Sequence, residues 1–253
     1  IFAILSIVLC FNTDQIQIMN KLDYNVALNE DGSMNVIETW NVYVKNTGTL
    51  FKDFYNINKY PISDISVKNL KSNENLEDLG YEEYHVPEGK YYAEEIKSNV
   101  LEIAFGTGKK KSSGNVKFQI SYKIDNVVNS YKDCQEFYWK FLDSTNGMMC
   151  KNITGTITLP KEVSNSENLL VWGHGNINGK IYKSGTNDVK FKIKNFSARN
   201  MLEVRVVTKE KMFSTETKTY NMIDNIQREE TKWAKETNDN INENRIILII
   251  ILL

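Results

Sequence analysis

Residues 115–124 read NVKFQISYKI. Val116, Phe118, Ile120, Tyr122 and Ile124 fall on one phase, and Lys117, Gln119, Ser121 and Lys123 on the other. Successive side chains of a strand point to opposite faces, so this alternation dictates a strand with one buried and one wet face. The same period recurs at Tyr24, Val26 and Leu28, and at Val189, Phe191 and Ile193 against Lys190, Lys192 and Lys194. Further strands are expected near 64–69, 100–105, 135–142, 153–159, 168–173, 179–184 and 201–208. Turn signals separate them: Asp31-Gly32, Gly106 to Gly108, Ser113-Gly114, Asn146-Gly147, Asn178-Gly179 and Ser184-Gly185. About ten short strands with no helical pattern between them predict an antiparallel β-sandwich rather than a βαβ fold. The acidic, tyrosine-rich segment 71–99 reads as a long loop or insert.

After Phe213 the period changes. Met222, Ile223, Ile226, Trp233 and Ala234 recur at helical spacing, with Asn221 as the expected N-cap. This predicts a helix that ends in a polar, Asn-rich spacer. The two ends of the chain are apolar, IFAILSIVLCFNT at the start and RIILIIILL at the close. The first run has the length of a signal-peptide core or an anchor remnant. The eight apolar residues after Arg245 read as the start of a membrane-spanning helix, which needs about 20 such residues. The expected organisation is a leader over 1–13, a linker over 14–20 and a β-sandwich over 21–213. A juxtamembrane helix and spacer over 214–244 and a truncated transmembrane segment over 245–253 follow. The leader places the bulk of the chain outside the cytoplasm, tethered to the membrane.

The formal net charge is -1 and the pI about 6.3. A nucleic-acid-binding domain is normally strongly basic, so no nucleic-acid partner is expected. The segment GHGNING carries Gly173, His174, Gly175 and Gly179, but a strand pattern follows it and the spacing is not that of a dinucleotide fingerprint. GTGKKKSSG lacks the first glycine of a phosphate-binding loop and reads as a basic loop tip. With two histidines far apart in sequence and no Cys-x-x-Cys pair, neither a metal site nor a cofactor is expected. Cys134 and Cys150 read as free thiols.

Two carboxylates stand out. Glu38 shares its phase with Val36, Trp40, Val42 and Val44, so it falls on the apolar face of its strand. A buried charge must be paired, and the expected partner is Arg205, a lysine, or water at the end of the sheet. Glu136 shares a phase with Tyr138 and Lys140, which reads as a solvated face. Phe137, Trp139 and Phe141 share the other, which reads as core. Stacking of Trp139 on a sugar ring is the functional alternative.

Together these residues resemble the N-terminal ectodomain of the YciQ-like predicted membrane proteins, domain of unknown function 2207. The resemblance rests on Tyr24, Val26, Asp31-Gly32-Ser33, Val36 and Glu38, then on ISDISV (Ile62 to Val67). It continues through Tyr122, Val127, Asp133, Glu136 and Trp139, then ITGTITLP ending at Pro160, and last Gly173, His174, Gly175 and Gly179. It covers about 21–213. This chain has Lys52 where the family tends to have Arg, and Asn176 where Pro is common. The resemblance implies a membrane-anchored bacterial or archaeal ectodomain and implies no reaction.

The expected function is therefore a non-catalytic module that binds or positions an envelope protein or polymer. The alternative is an envelope enzyme acting on glycan or peptide, with Glu38 or Glu136 as the carboxylate. The Lys190, Lys192, Lys194 stripe reads as a solvated strand face in preference to a site for an anionic polymer.

Overall fold

The computed structural model describes residues 15–144 and 149–251, with side chains described through residue 240. Its strands are β1 (Ile16–Leu28), β2 (Met34–Lys45), β3 (Thr49–Tyr55), β4 (Ile62–Asn69), β5 (Glu74–Asn75), β6 (Glu77–Asp78), β7 (Lys90–Lys97) and β8 (Val100–Gly106). They continue as β9 (Ser113–Ile124), β10 (Val128–Ser130), β11 (Gln135–Leu142), β12 (Cys150–Thr158), β13 (Leu169–Gly175), β14 (Lys180–Ser184), β15 (Asp188–Phe196) and β16 (Leu202–Thr208). The helix α1 (Ile223–Ile251) follows. The expected leader and the Asn146-Gly147 turn lie outside the described residues.

Three sheets form. The largest has the order β14-β15-β12-β1-β2-β9-β4-β5, and two four-stranded sheets have the orders β10-β11-β16-β13 and β3-β8-β7-β6. Both small sheets pack on the same face of the large one. Trp40 and Phe118 of the large sheet meet Phe105 of β8 at ring distances of 5.6 and 4.9 Å, and Tyr24 meets Phe141 of β11 at 4.9 Å. One apolar core runs through all three sheets. The fold is thus a sandwich whose second layer is split in two.

Several expectations are corrected. The large sheet is mixed rather than antiparallel, because β1 pairs with β12 in parallel. The expected linker 14–20 is largely strand, since β1 begins at Ile16. Ser113-Gly114 opens β9 rather than turning the chain. The segment 71–99 contains β7, whose Tyr91 and Tyr92 are both buried. Tyr91 faces the main core and Tyr92 a satellite cluster with Val86 and Ala104, so both faces of this strand are covered and the alternation fades. β3 escapes the pattern for a different reason. Leu50 and Phe54 point inward while Phe51 and Tyr55, exposed at 58% and 54%, point out, so apolar residues occupy both phases.

α1 continues unbroken through the Asn-rich segment expected to be a spacer. The expected apolar start of a membrane span, 246–253, lies beyond the described side chains. Among the described residues, no helix is long and apolar enough to cross a membrane. The expected N-cap, Asn221, is replaced by a residue distant in sequence. Asp133 accepts hydrogen bonds from the Met222 and Ile223 N–H groups at 2.8 and 3.3 Å, satisfying two of the donors a helix start leaves open.

Cys134 and Cys150 are free and buried, one in the loop before β11 and the other on β12, a strand of a different sheet from β11. Burial, followed by the Asp133 charge, pushes the Cys134 thiol up to about 12, and burial also raises Cys150. Only the thiolate reacts quickly. An alkylating reagent at neutral pH is therefore expected to spare both in the folded chain and to label both in denaturant without reductant. Peptide mass mapping that finds them protected until reductant is added would overturn the free-thiol assignment.

Candidate functional site: a cleft in the split layer

The split second layer leaves a cleft of about 890 Å³. Its floor is the inner face of the large sheet, and its two walls are β3 and β11. Glu38 sits in the floor on the central strand β2, with no exposed surface. Its alternation phase put it there, and three donors hold it. Trp40, two residues along on the same face, donates Nε1–H to Oε2 at 2.8 Å. Tyr122, its diagonal neighbour on β9, donates its hydroxyl to Oε1 at 2.5 Å. Lys52 of β3 places Nζ 2.8 Å from Oε1. The lysine option expected from sequence is therefore the one realised. This pair ties the large sheet to one half of the split layer.

The two phenols on the floor stay protonated. Burial raises the Tyr122 and Tyr24 hydroxyls well above their ordinary value, and the Glu38 charge adds to it. Tyr24 lies opposite Glu38 on β1, and its buried hydroxyl has no hydrogen-bond partner among the described residues. The wall residue Trp139 packs edge-on against Tyr60 at 5.2 Å rather than standing free as a stacking platform.

Glu136 is not on a solvated face. It is buried under α1 together with Arg205, which sequence reading had offered as a partner for Glu38. Arg205 Nε lies 2.6 Å from Glu136, and its Nη1 lies 3.0 Å from both Glu229 and Glu230 of α1. Tyr131 donates to the other Glu136 oxygen at 3.0 Å, and the Tyr138 ring lies 4.8 Å from the guanidinium carbon. Beside this cluster Ile226 of α1 is fully buried against Tyr131, Cys134 and Val207. The helix is thus docked on the outer face of the β10-β11-β16-β13 sheet.

His174 joins the same clamp. Its Nε2 lies 2.8 Å from Glu230, its Nδ1 3.7 Å from Glu203, and Trp233 of α1 packs edge-on at 5.1 Å. Burial pulls its pKa down, but hydrogen bonds to Glu203 and Glu230 outweigh this and hold it at about 9. The His174 bond holds Glu203 down at about 2, against a burial penalty and with help from Tyr138 and Lys140. A histidine raised above its ordinary 6.5 stabilises fully below that pH, and the contribution is lost as pH rises through about 9. A carboxylate lowered from 4.5 stabilises above that pH and loses its effect toward 2. Docking of α1 is therefore expected to be tightest between these ordinary values and to loosen from pH 7 to 10. The protection factors of residues 226–234, deuterium exchange corrected for the intrinsic pH dependence of amide exchange, should fall over that range. In His174→Gln those protection factors should stay level with pH, and a steep fall there would assign the effect to another group.

Asp31 and the glycines of the resemblance shape turns and strand pairs. Asp31 accepts from the Ser33 N–H at 2.9 Å and the Ser33 hydroxyl at 2.5 Å, closing the turn between β1 and β2. Gly32 has φ +81°, and a Cβ there would fall 2.2 Å from Thr215, so only glycine fits. Gly175 has φ +122° and its Cβ would strike the Met201 carbonyl at 1.8 Å, closing β13 against the segment before β16. Gly173 pairs with Val204 within the same ladder, and Gly179 stands in the turn before β14. Lys192 and Lys194 lie exposed on the outer face of the large sheet. Among the described residues, no group of three potential ligands is placed to hold a metal.

The cleft brings together Glu38 and Trp139 from the sequence-expected set. The helix clamp brings together Asp133, Glu136 and His174. Sequence reading missed Tyr24, Tyr122 and Lys52 as companions of Glu38. One signal was available, because Lys52 shares a phase with Leu50 and Phe54 and is thus a second charge on a buried phase.

Among solved structures, this chain is similar to native leukotriene A4 hydrolase from Saccharomyces cerevisiae. The identity is 11% and the TM-score 0.50, covering 78% of this chain and 30% of that one. It is also similar to an M1 zinc metallopeptidase from Deinococcus radiodurans at 6% identity and TM-score 0.40, covering 74% of this chain and 42% of that one. The chain spans less than half the length of either, and these likenesses concern the fold alone. No curated protein matches it. The model described as "Predicted membrane protein (DUF2207) N-terminal domain" matches residues 19–208. That is most of the chain, and it includes every strand that builds the cleft; the protein belongs to the DUF2207 family of predicted membrane proteins.

Proposed function

We propose that this chain is the extracytoplasmic part of a membrane-tethered protein and that it binds an envelope partner in the cleft without catalysing a reaction. The carrying observation is the state of Glu38. Both its oxygens are engaged by Tyr122, Lys52 and Trp40, and it has no exposed surface. A general acid or base must reach the reacting atom and exchange a proton with it. Glu38 is instead a neutralised floor group, and the neighbouring phenols are held in their protonated form. Glu136, the other carboxylate considered, lies under α1 and does not line the cleft.

The enzyme alternative keeps one supporting observation: Glu38 does meet other polar groups in a concave site. Incubating the full chain with envelope glycan and peptide fragments separates the two readings. The binding reading expects no turnover that Glu38→Gln abolishes. Turnover lost in a folded Glu38→Gln chain would make the cleft an active site. The extracytoplasmic placement has its own test. Protease added to intact, wall-stripped cells is expected to degrade residues 21–240, and survival of that region until the membrane is broken would overturn it.

A further inference from the structure

The floor and walls of the cleft are lined in different ways. Floor residues come from alternate positions, such as Leu22 and Tyr24, Glu38 and Trp40, Tyr122 and Ile124, as a sheet face requires. Wall residues are consecutive: 51–56 from β3 onward and 138–143 from β11 onward. A strand lines a space with consecutive residues when it presents its edge.

Both edges are open. β3 is outermost in its sheet and pairs only with β8. The Gly48 carbonyl accepts from the Thr107 N–H, and the Asn56 N–H donates to Asn99. Even-numbered backbone groups from 48 to 56 therefore bond toward β8. The peptide groups of Phe51, Asp53 and Tyr55 point the other way. On β11 the Cys134 carbonyl accepts from the Tyr131 N–H, which puts even-numbered groups on the β10 side. Pairing with β10 ends at Phe137, so Tyr138 and Lys140 continue along an uncovered edge. No backbone partner for these outward groups occurs among the described residues.

We propose that the cleft takes an extended polypeptide segment of a partner protein, added as a strand along β3 and β11. This rests on the binding reading above. Alternating N–H and C=O groups at the strand repeat are what two such edges can recognise, and a glycan chain does not present them. Every second side chain of the added strand would point to the floor. Most of that floor is apolar, so these side chains should be apolar too.

The test is selection of displayed random peptides of about 12 residues on the full chain held in lipid nanodiscs. Enriched peptides are expected to lack proline and to carry apolar residues at alternate positions. Synthetic copies should slow deuterium exchange at Phe51, Asp53 and Tyr55. Methylating alternate peptide nitrogens should weaken binding about tenfold or more. Asp53→Pro removes one outward donor and leaves the β8 ladder intact, so it should weaken binding equally while Asp53→Asn does not. Unchanged exchange of the β8 amides confirms its fold. No enrichment, binding indifferent to N-methylation, protection elsewhere, or a second copy of this chain as the occupant would each overturn the proposal. A photoreactive residue at Tyr55 that captures glycan in cells would sink the peptide proposal and spare the binding reading. Absence of any adduct there would remove both.

Discussion

Arg205→Met is expected to lower the stability of the protein by about 3–5 kcal/mol, the usual effect of removing one partner from a buried ionic cluster. Glu136 and Glu230 are both buried, and each would lose its guanidinium contact. Glu229 is half exposed and contributes less. In a chain of this size the melting temperature should fall by roughly 10 °C. The loss should show first as release of α1, because the cluster joins the helix to β11 and β16. Limited proteolysis should cut near residues 222–234 before the sheets unfold. Adding Glu136→Gln and Glu230→Gln to Arg205→Met should recover much of the loss, since both buried carboxylates that lose the guanidinium are then uncharged and only the half-exposed Glu229 is left without it. A triple variant as unstable as the single one would assign the cost to lost packing of the arginine on Tyr138 rather than to uncompensated charge.

The second large effect is expected at Lys52. Lys52→Met leaves Glu38 with two neutral donors and no counter-charge at a site without exposed surface. The expected cost is again about 3–5 kcal/mol. Here the damage falls on the join between the large sheet and β3, so deuterium exchange should rise along β3 and β8 and leave α1 unaffected. The double variant Lys52→Met with Glu38→Gln should recover most of the stability. A double variant no better than Lys52→Met would mean that the pair is not what links the two sheets. Comparing the two regions also tests independence: the Arg205 and Lys52 clusters share no partner, so their costs should add.

Much of this architecture was legible in the alternation. β9 and β15 follow it residue by residue, because each has one face on the core and one in water. Glu38 was legible for the same reason, as a carboxylate on the wrong phase. What failed were places where a second element covers the wet face. Glu136 read as solvated because the helix that buries it lies some ninety residues further along. The split of the second layer was equally hidden. It depends on β3, whose apolar residues occupy both phases, and on β10 being too short to cover β11. The Asp133 cap could not be read either, since the sequence offered a local candidate in Asn221 and caps are usually local. The cleft therefore emerged only from the tertiary arrangement, although its floor was written in the pattern.

The central claim is that the cleft between β3 and β11 is a docking site. The most direct test places a photoreactive amino acid at Tyr55, on the β3 wall, and compares it in living cells with the same residue at Tyr182, which is also exposed but lies on the outermost strand β14. A specific covalent adduct from position 55, absent at 182 and lost when Asp53→Pro is introduced, is the predicted result. Equal labelling from both positions, or none from 55, would contradict it.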